Sequence, residues 1–242
     1  QWADMIFCLV RTSKTGKPQE GISFIVFPMT SPGITIRPLP TLDGPAEGQH
    51  EINQVFFENV RVPIKDALIG EENKGWTYAK YLLEFERGNA YAPGLRHMLR
   101  KARKVASKEI AGGAPVIRDP DFARKLAQLE IRIDMLDATE RRVLSSLSAG
   151  QNVGPESSML KCAGSEAQQA ITELALEAAG FYAAPFVQDT IALLEAGGNE
   201  TCPTPQHGLV AAPNYFNYRK TSIYAGSNEI QRNIMAKMVL GL

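Results

Sequence analysis

The sequence has no apolar run long enough to span a bilayer and no signal-peptide pattern, so a membrane protein is not expected. It has no excess of either charge: 26 basic and 26 acidic residues leave a formal net charge of +0. Nucleic-acid binders normally carry a basic footprint, and no Lys/Arg cluster interleaved with aromatics is found. Cysteine is scarce. Cys8, Cys162 and Cys202 are an odd, scattered set, which suits a reduced, cytoplasmic chain better than a disulfide framework. Histidine is scarce too. His50, His97 and His207 stand at no metal-ligand spacing relative to one another or to the cysteines, so each reads as surface or core and no metal site is expected. Gly-x-Ser-x-Gly, phosphate-loop and dinucleotide glycine fingerprints are all absent, which leaves a hydrolase, a kinase or a nicotinamide enzyme without support. The sequon Asn199-Glu200-Thr201 lies in a sequence without export signals and is read as incidental. The sequence begins at Gln1 rather than Met and goes straight into a strand-like run, so it is expected to be cut at its front.

What is present is ordinary globular material, 242 residues with 44% hydrophobic, which changes character once. Residues 1 to about 66 read as β. Met5 to Val10 and Ile22 to Phe27 are short apolar runs separated by the turn at Lys14-Thr15-Gly16-Lys17, which predicts a hairpin with a longer loop. Ile34 and Ile36 alternate with Thr35 and Arg37, and Ile52 to Val62 is another β-rich stretch. Pro and Gly punctuate the gaps. From about residue 74 the period becomes helical. A first helix is expected from Gly75 to Ile110. Asp119 as N-cap and Pro120 behind it start a second, with Phe122, Leu126, Leu129, Ile133, Leu136, Val143 and Leu147 on one stripe. A third starts near Pro155 and carries Leu160, Ala163, Ala167, Ala170, Ile171, Leu174 and Ala178. A fourth is expected over 186–195, a loop over 197–213, and two helical pieces around Tyr224 to Ser227. The expected fold is α+β: a partial antiparallel β-domain over 1–66 followed by an antiparallel helical bundle over 67–242.

Two segments carry candidate chemistry. On the first helix Ala79, Leu82, Leu83 and Ala90 share a face, and Glu86 lies on it, while Glu84 and Arg87 diverge from Glu86 by about 160° and 100°. A carboxylate on an apolar stripe is costly unless paired or protonated, and desolvation raises its basicity toward that of a general base. Periodicity leaves open the plainer reading of a stripe-edge Glu with its charge in water. The second segment is Tyr224-Ala225-Gly226-Ser227-Asn228-Glu229-Ile230-Gln231-Arg232. Gly226 can make a left-handed turn, Ser227 or Asn228 can cap a new helix, and Glu229 suits its dipole. Such an N-terminus is either a plain capped helix or a place for a phosphate or another anion.

Three stretches together resemble the acyl-CoA dehydrogenase family. Val55 to Pro63 is similar to its last β-domain strand, Gly70-Glu71-Glu72-Asn73-Lys74-Gly75-Trp76 to the entry of its first C-terminal helix, and Tyr224 to Arg232 to its C-terminal signature. Their order and distances agree over nearly the whole sequence. The family's usual base lies between the Tyr and Gly of that signature, where this sequence has Ala225. A minority, the isovaleryl-CoA dehydrogenases among them, carry the base on the first C-terminal helix just before an Arg. Glu86-Arg87 matches that placement, which implies Glu86 as the α-proton base, Arg87 at the substrate end of the helix and flavin N5 as hydride acceptor. The resemblance further implies FAD as cofactor, with Tyr224, Gly226, Ser227 and Glu229 near it. Glu177 and Gly180 stand where the family has Gln and Gly contacting the FAD of a neighbouring subunit. It also implies an acyl-CoA substrate, an electron-transfer flavoprotein as partner, and a homo-tetramer or a heteromer of related chains. An Arg-x-x-Phe segment that the family often has after the first helix is replaced by Ala111-Gly112-Gly113-Ala114-Pro115, and the family's N-terminal helical domain has no counterpart in this sequence. A non-catalytic partner subunit or truncated remnant, or a flavin monooxygenase of the same fold, are the alternatives.

Overall fold

The computed structural model describes residues 2–44, 50–86, 90–151, 154–185 and 203–242, and for 84–86 the backbone alone. Two compact units divide them, one drawn from 1–40 and 47–86 and the other from 41–46 and 87–242.

The first unit holds the larger sheets, one of three strands and one of two. Strands β1 (Met5–Arg11) and β2 (Ile22–Pro28) form the expected hairpin, in antiparallel register from Met5 opposite Pro28 to Arg11 opposite Ile22. The Arg11 guanidinium closes its loop by donating to the carbonyls of Ser13 and Glu20 at 3.2 and 3.1 Å. β3 (Ile34–Pro38) pairs with β4 (Asn53–Phe57), the part of the β-rich stretch that forms a strand. A short helix α1 (Ile64–Ala67) leads into β5 (Leu68–Ile69), which lies along β2. Helix α2 (Gly75–Glu86) starts against the same strand. Gly75 is required there: a Cβ would stand 2.5 Å from the Phe24 amide nitrogen. Asn73 turns the chain into α2 with φ 66°, and its N–H donates to Ser23 Oγ at 2.8 Å. Compactness groups this first long helix with these sheets, in the unit that ends at residue 86.

The second unit is helical. The expected single helix from Gly75 to Ile110 is instead two, α2 and α3 (Ala92–Lys108), and Ala90 and Tyr91 lie outside both. Pro93 accounts for the break. It has no N–H to give to a preceding turn, so it is tolerated at the start of a helix and not in its interior. A small hairpin, β6 (Ile110–Ala111) with β7 (Ala114–Pro115), leads through a 3₁₀ turn to α4 (Pro120–Ser148). Asp119 caps α4 as expected, accepting from the Phe122 N–H at 2.9 Å. Of the predicted stripe, Phe122, Leu126, Leu129, Ile133 and Leu136 are buried, whereas Leu147 is exposed. α5 (Glu156–Ala179) realises the third predicted helix. The fourth, over 186–195, lies outside the described residues. The loop expected to run to Pro213 ends earlier, because α6 (Ala211–Asn217) already includes Pro213. A proline in the first turn sacrifices no intrahelical bond, since those N–H groups have no partner in the helix. A 3₁₀ segment (Tyr218–Ser222) and α7 (Asn228–Leu240) complete the chain, so helical pieces do flank the Tyr224 turn. No helix among the described residues is long and apolar enough to cross a membrane.

α3, α4 and α5 enclose one core in which Leu95, Phe122, Ile133 and Ile171 are almost fully buried, each worth about 2 kcal/mol of apolar burial. α3 and α4 run antiparallel, as their ion pairs show: Arg96 with Asp134 and Asp137, and Arg103 with Glu130. The α4 stripe also contains a residue that sequence reading passed over. Glu140 follows Leu136 by one turn and is only 5% exposed. It accepts from the N–H groups of Tyr91 at 2.5 Å and Ala92 at 3.2 Å. Tyr91, the N-cap of α3, makes no side-chain cap of its own, so Glu140 supplies the missing acceptor from another helix. Tyr91 is held on its other side by α5, where a Cβ at Gly164 would lie 2.5 Å from its ring.

Two stability changes follow. Glu140→Leu leaves two buried N–H groups without an acceptor and should lower unfolding free energy by about 2–4 kcal/mol, with Glu140→Gln losing less than half of that, read by denaturant titration. Gly164→Ala gains about 1 kcal/mol of helix propensity. It forces Tyr91 off its site at a cost of about 1–3 kcal/mol, so the net effect should be destabilising. A Gly164→Ala variant more stable than the parent would show that the ring yields freely.

Candidate functional site

The segment from Ile223 to Ser227 links the 3₁₀ turn to α7 and is the most unusual backbone in the helical unit. Ala225 and Gly226 are both left-handed, with φ 55° and 81°. A side chain at Gly226 would be strained twice, by its φ and by a Cβ 2.5 Å from Gln231 Nε2. Ala225 tolerates the conformation at a cost of about 1 kcal/mol. Ser227 then enters α7 as its N-cap, its Oγ accepting from the Ile230 N–H at 3.4 Å. Tyr224, Ala225 and Gly226 are exposed, so the turn presents backbone and one phenol to its surroundings. Glu229 lies in the first turn of α7. Hydrogen bonds from its own backbone N–H and from Ser227 hold its carboxyl below the usual range.

Beneath the turn is a buried polar cluster. Lys161, Cys162 and Ser165 of α5 face Thr221 and Asn228, and all five are less than a tenth exposed. The Lys161 ammonium donates to the Thr221 carbonyl at 3.1 Å and to Asn228 Oδ1 at 2.8 Å. The Asn228 amide meets Ser165 Oγ at 3.1 Å, and Cys162 Sγ donates to the Asn228 carbonyl. Burial pushes the Lys161 ammonium down and the Cys162 thiol up. Burial likewise raises the Tyr91 phenol, and the nearby Tyr224, Cys162 and Glu140 add to it. Sequence reading assigns no role to Lys161 or Ser165, and to Asn228 only that of a possible helix cap. The available signal was that Glu166, Glu173 and Glu177 share one face of α5 and Lys161 diverges from it by about 120–160°.

The predicted site residues fall into three groups. Tyr224, Gly226, Ser227 and Glu229 come together in this turn and the helix start behind it. Glu177 and Gly180 lie at the other end of α5, about 18 Å of helix beyond Ser165, and do not join them. There Gly180, with φ 56°, ends α5, and the Glu177 carboxylate accepts from Lys125 Nζ at 2.9 Å. Glu86 belongs to the other unit, where α2 is described through its backbone, and Arg87 lies outside the described residues. On the stripe expected to shield Glu86, Ala79 is buried, but Leu82, Leu83 and Ala90 are exposed.

Comparison with known proteins places these features in a family. Residues 73–240 match the acyl-CoA dehydrogenase C-terminal domain. The chain is 28% identical over 242 residues to acyl-CoA dehydrogenase IpdE1 of Mycolicibacterium smegmatis, covering 100% of this chain and 54% of that protein. It resembles a solved acyl-CoA dehydrogenase from Geobacillus kaustophilus with a TM-score of 0.76 and 25% identity, over 99% of this chain and 58% of that one. It resembles the ChsE4-ChsE5 complex from Mycobacterium tuberculosis with a TM-score of 0.77 and 26% identity, over 100% of this chain and 58% of that one. The chain thus spans about half the length of the curated relatives it matches. With its helical bundle ordered as in these proteins and a matching domain over most of its length, the chain belongs to the acyl-CoA dehydrogenase family.

Proposed function

We propose that the protein carrying this chain removes an α-proton and a β-hydride from an acyl-CoA thioester, with FAD as its cofactor. The observation that carries this reading is the family match over residues 73–240. The turn at 224–227 supports the cofactor. It is exposed, it bears no bulk at Ala225 and Gly226, and it ends in the N-terminus of a helix, the backbone arrangement that accommodates phosphate and other anions. Gly226 and Ser227 would hold the anionic part of the nucleotide, and Tyr224 would lie against it. Glu229, ionised and therefore an acceptor only, suits the hydroxyls of the nucleotide better than its phosphates. FAD, when bound, supplies the two-electron oxidant that takes the hydride.

The proton is assigned to Glu86. The thioester carbonyl acidifies the α-carbon, and a carboxylate shielded from water is basic enough to take the proton. Two independent lines support Glu86: its place on the Ala79–Leu82–Leu83 face and the sequence Glu86-Arg87, which matches the base placement of isovaleryl-CoA dehydrogenases. The shielding is assigned to bound substrate and to chain other than the residues described. Arg87 is assigned to the substrate end of the helix. Glu177 and Gly180, at the far end of α5, are assigned to FAD held by a neighbouring subunit. The similarity to a chain of the ChsE4-ChsE5 complex supports assembly with a second, different chain, and a homo-tetramer is the other proposed assembly. An electron-transfer flavoprotein is the partner proposed to reoxidise the cofactor.

Ala225 favours a second reading, in which this chain is the non-catalytic member of a pair, since the usual carboxylate position is empty of one. An anaerobic titration of the FAD-loaded intact protein with a panel of acyl-CoA thioesters separates the two. Bleaching of the visible flavin band by one class of thioester establishes the half-reaction and names the substrate class, and a band that never bleaches favours the non-catalytic member. Glu86→Gln should slow flavin reduction by about 10²–10⁴-fold with acyl-CoA affinity little changed, and reduction at the parent rate would remove Glu86 from the mechanism.

A further inference from the structure

Among the described residues two charged side chains are buried, Glu140 and Lys161. Glu140 has an evident structural task. Lys161 does not, and its surroundings are unfavourable to a cation in two respects. Its ammonium is removed from water, and among the described residues no carboxylate bonds to it, Glu229 acting on it through its charge alone. It also lies at the N-terminus of α7, where the helix dipole is positive. A neutral residue would serve the packing of α5 better. What the ammonium does have is two acceptors placed on either side of one segment. The Thr221 carbonyl belongs to the 3₁₀ segment that enters the turn, and Asn228 is the first residue of the helix that leaves it. Between them run the strained Ala225, Gly226 and the cap Ser227.

We infer that Lys161 is a positioning residue that staples the two ends of the Ile223–Ser227 turn and so fixes the backbone on which the nucleotide is held. Only a flexible stem with several donors at its tip reaches both acceptors, and bonds from a charged donor are about twice as strong as neutral ones. Ser165 supports the same end of the staple through the Asn228 amide. The part of the inference that concerns nucleotide rests on the FAD reading above; the staple itself does not.

The test is Lys161→Met in the intact protein. Hydrogen exchange at the amides of residues 224–231 should quicken by at least about tenfold as the turn opens locally. FAD should bind at least about tenfold more weakly. The thermal midpoint should fall modestly, because the Thr221 carbonyl and Asn228 Oδ1 lose their donor while the desolvation cost of the ammonium is relieved. A merely structural lysine would lower the midpoint as well but leave the turn no more open than the rest of the bundle. Asn228→Asp, which keeps the acceptor, should leave exchange at these amides within about twofold of the parent. Should Lys161→Met fail to fold, Asn228→Leu removes the α7 arm alone and is read in the same way. Exchange at 224–231 unchanged within about twofold in the folded variant overturns the staple. Failure of the parent protein to bind FAD overturns the cofactor reading, and exchange still decides the staple.

Discussion

A helix covered on several sides must find partners for every polar group it takes out of water, and α5 is such a helix. It packs against α3 and α4 on one side and against α6, the 3₁₀ segment and α7 on the other. The first contact is largely apolar, built on Leu160, Ala167, Ile171, Leu174 and Ala178. The second is largely polar. Lys161, Ser165, Gln169 and Thr172 present donors and acceptors in succession, and the chain from Tyr218 to Asn228 answers each of them. Arg219 is the reciprocal case. Its guanidinium bonds the Gln169 carbonyl and Thr172 Oγ1 at 2.9 and 2.8 Å and lies over the Tyr215 ring. An unmade bond at any of these buried sites costs about 1–3 kcal/mol, so the path of the chain over α5 is strongly determined.

This requirement explains why an unfavourable backbone persists at the candidate site. A left-handed alanine followed by a left-handed glycine has nothing local to recommend it. It is held because both ends of the turn are committed, one through Thr221 and the other through Asn228. Strain of this kind survives when the surroundings over-determine it, and it gathers where ligands are held. Tyr91 joins the two buried charges into one neighbourhood. Its N–H is bonded to Glu140, its ring packs on Gly164, and its phenol feels Tyr224 and Cys162. The start of α3, the middle of α5 and the turn before α7 are thereby held in register, although they come from distant parts of the sequence.

Much of the architecture was legible in sequence. The hairpin, the Asp119 cap, the stripe of α4, the α5 helix and the Ser227 cap all rest on interactions within a few residues, which composition and spacing encode directly. The break between α2 and α3 could have been read at Pro93, but the apolar spacing runs on past it and hid the signal. Glu140 sat in plain view at the next stripe position after Leu136. The periodicity argument that places Glu86 on an apolar face applies to Glu140 with equal force.

By itself the sequence determined where the backbone takes up a helical period, where α2, α4, α5 and α7 begin, the apolar stripes of α4 and α5, and the family to which these signals belong. Only the tertiary structure decided which polar residues on those faces are buried and what satisfies them. The physical reason is range. A cap or a stripe is closed by neighbours three or four residues away, whereas Glu140 meets Ala92 across 48 residues and Lys161 meets Asn228 across 67. Periodicity reports the direction in which a side chain points, and the partner it finds there belongs to the packing of the whole bundle.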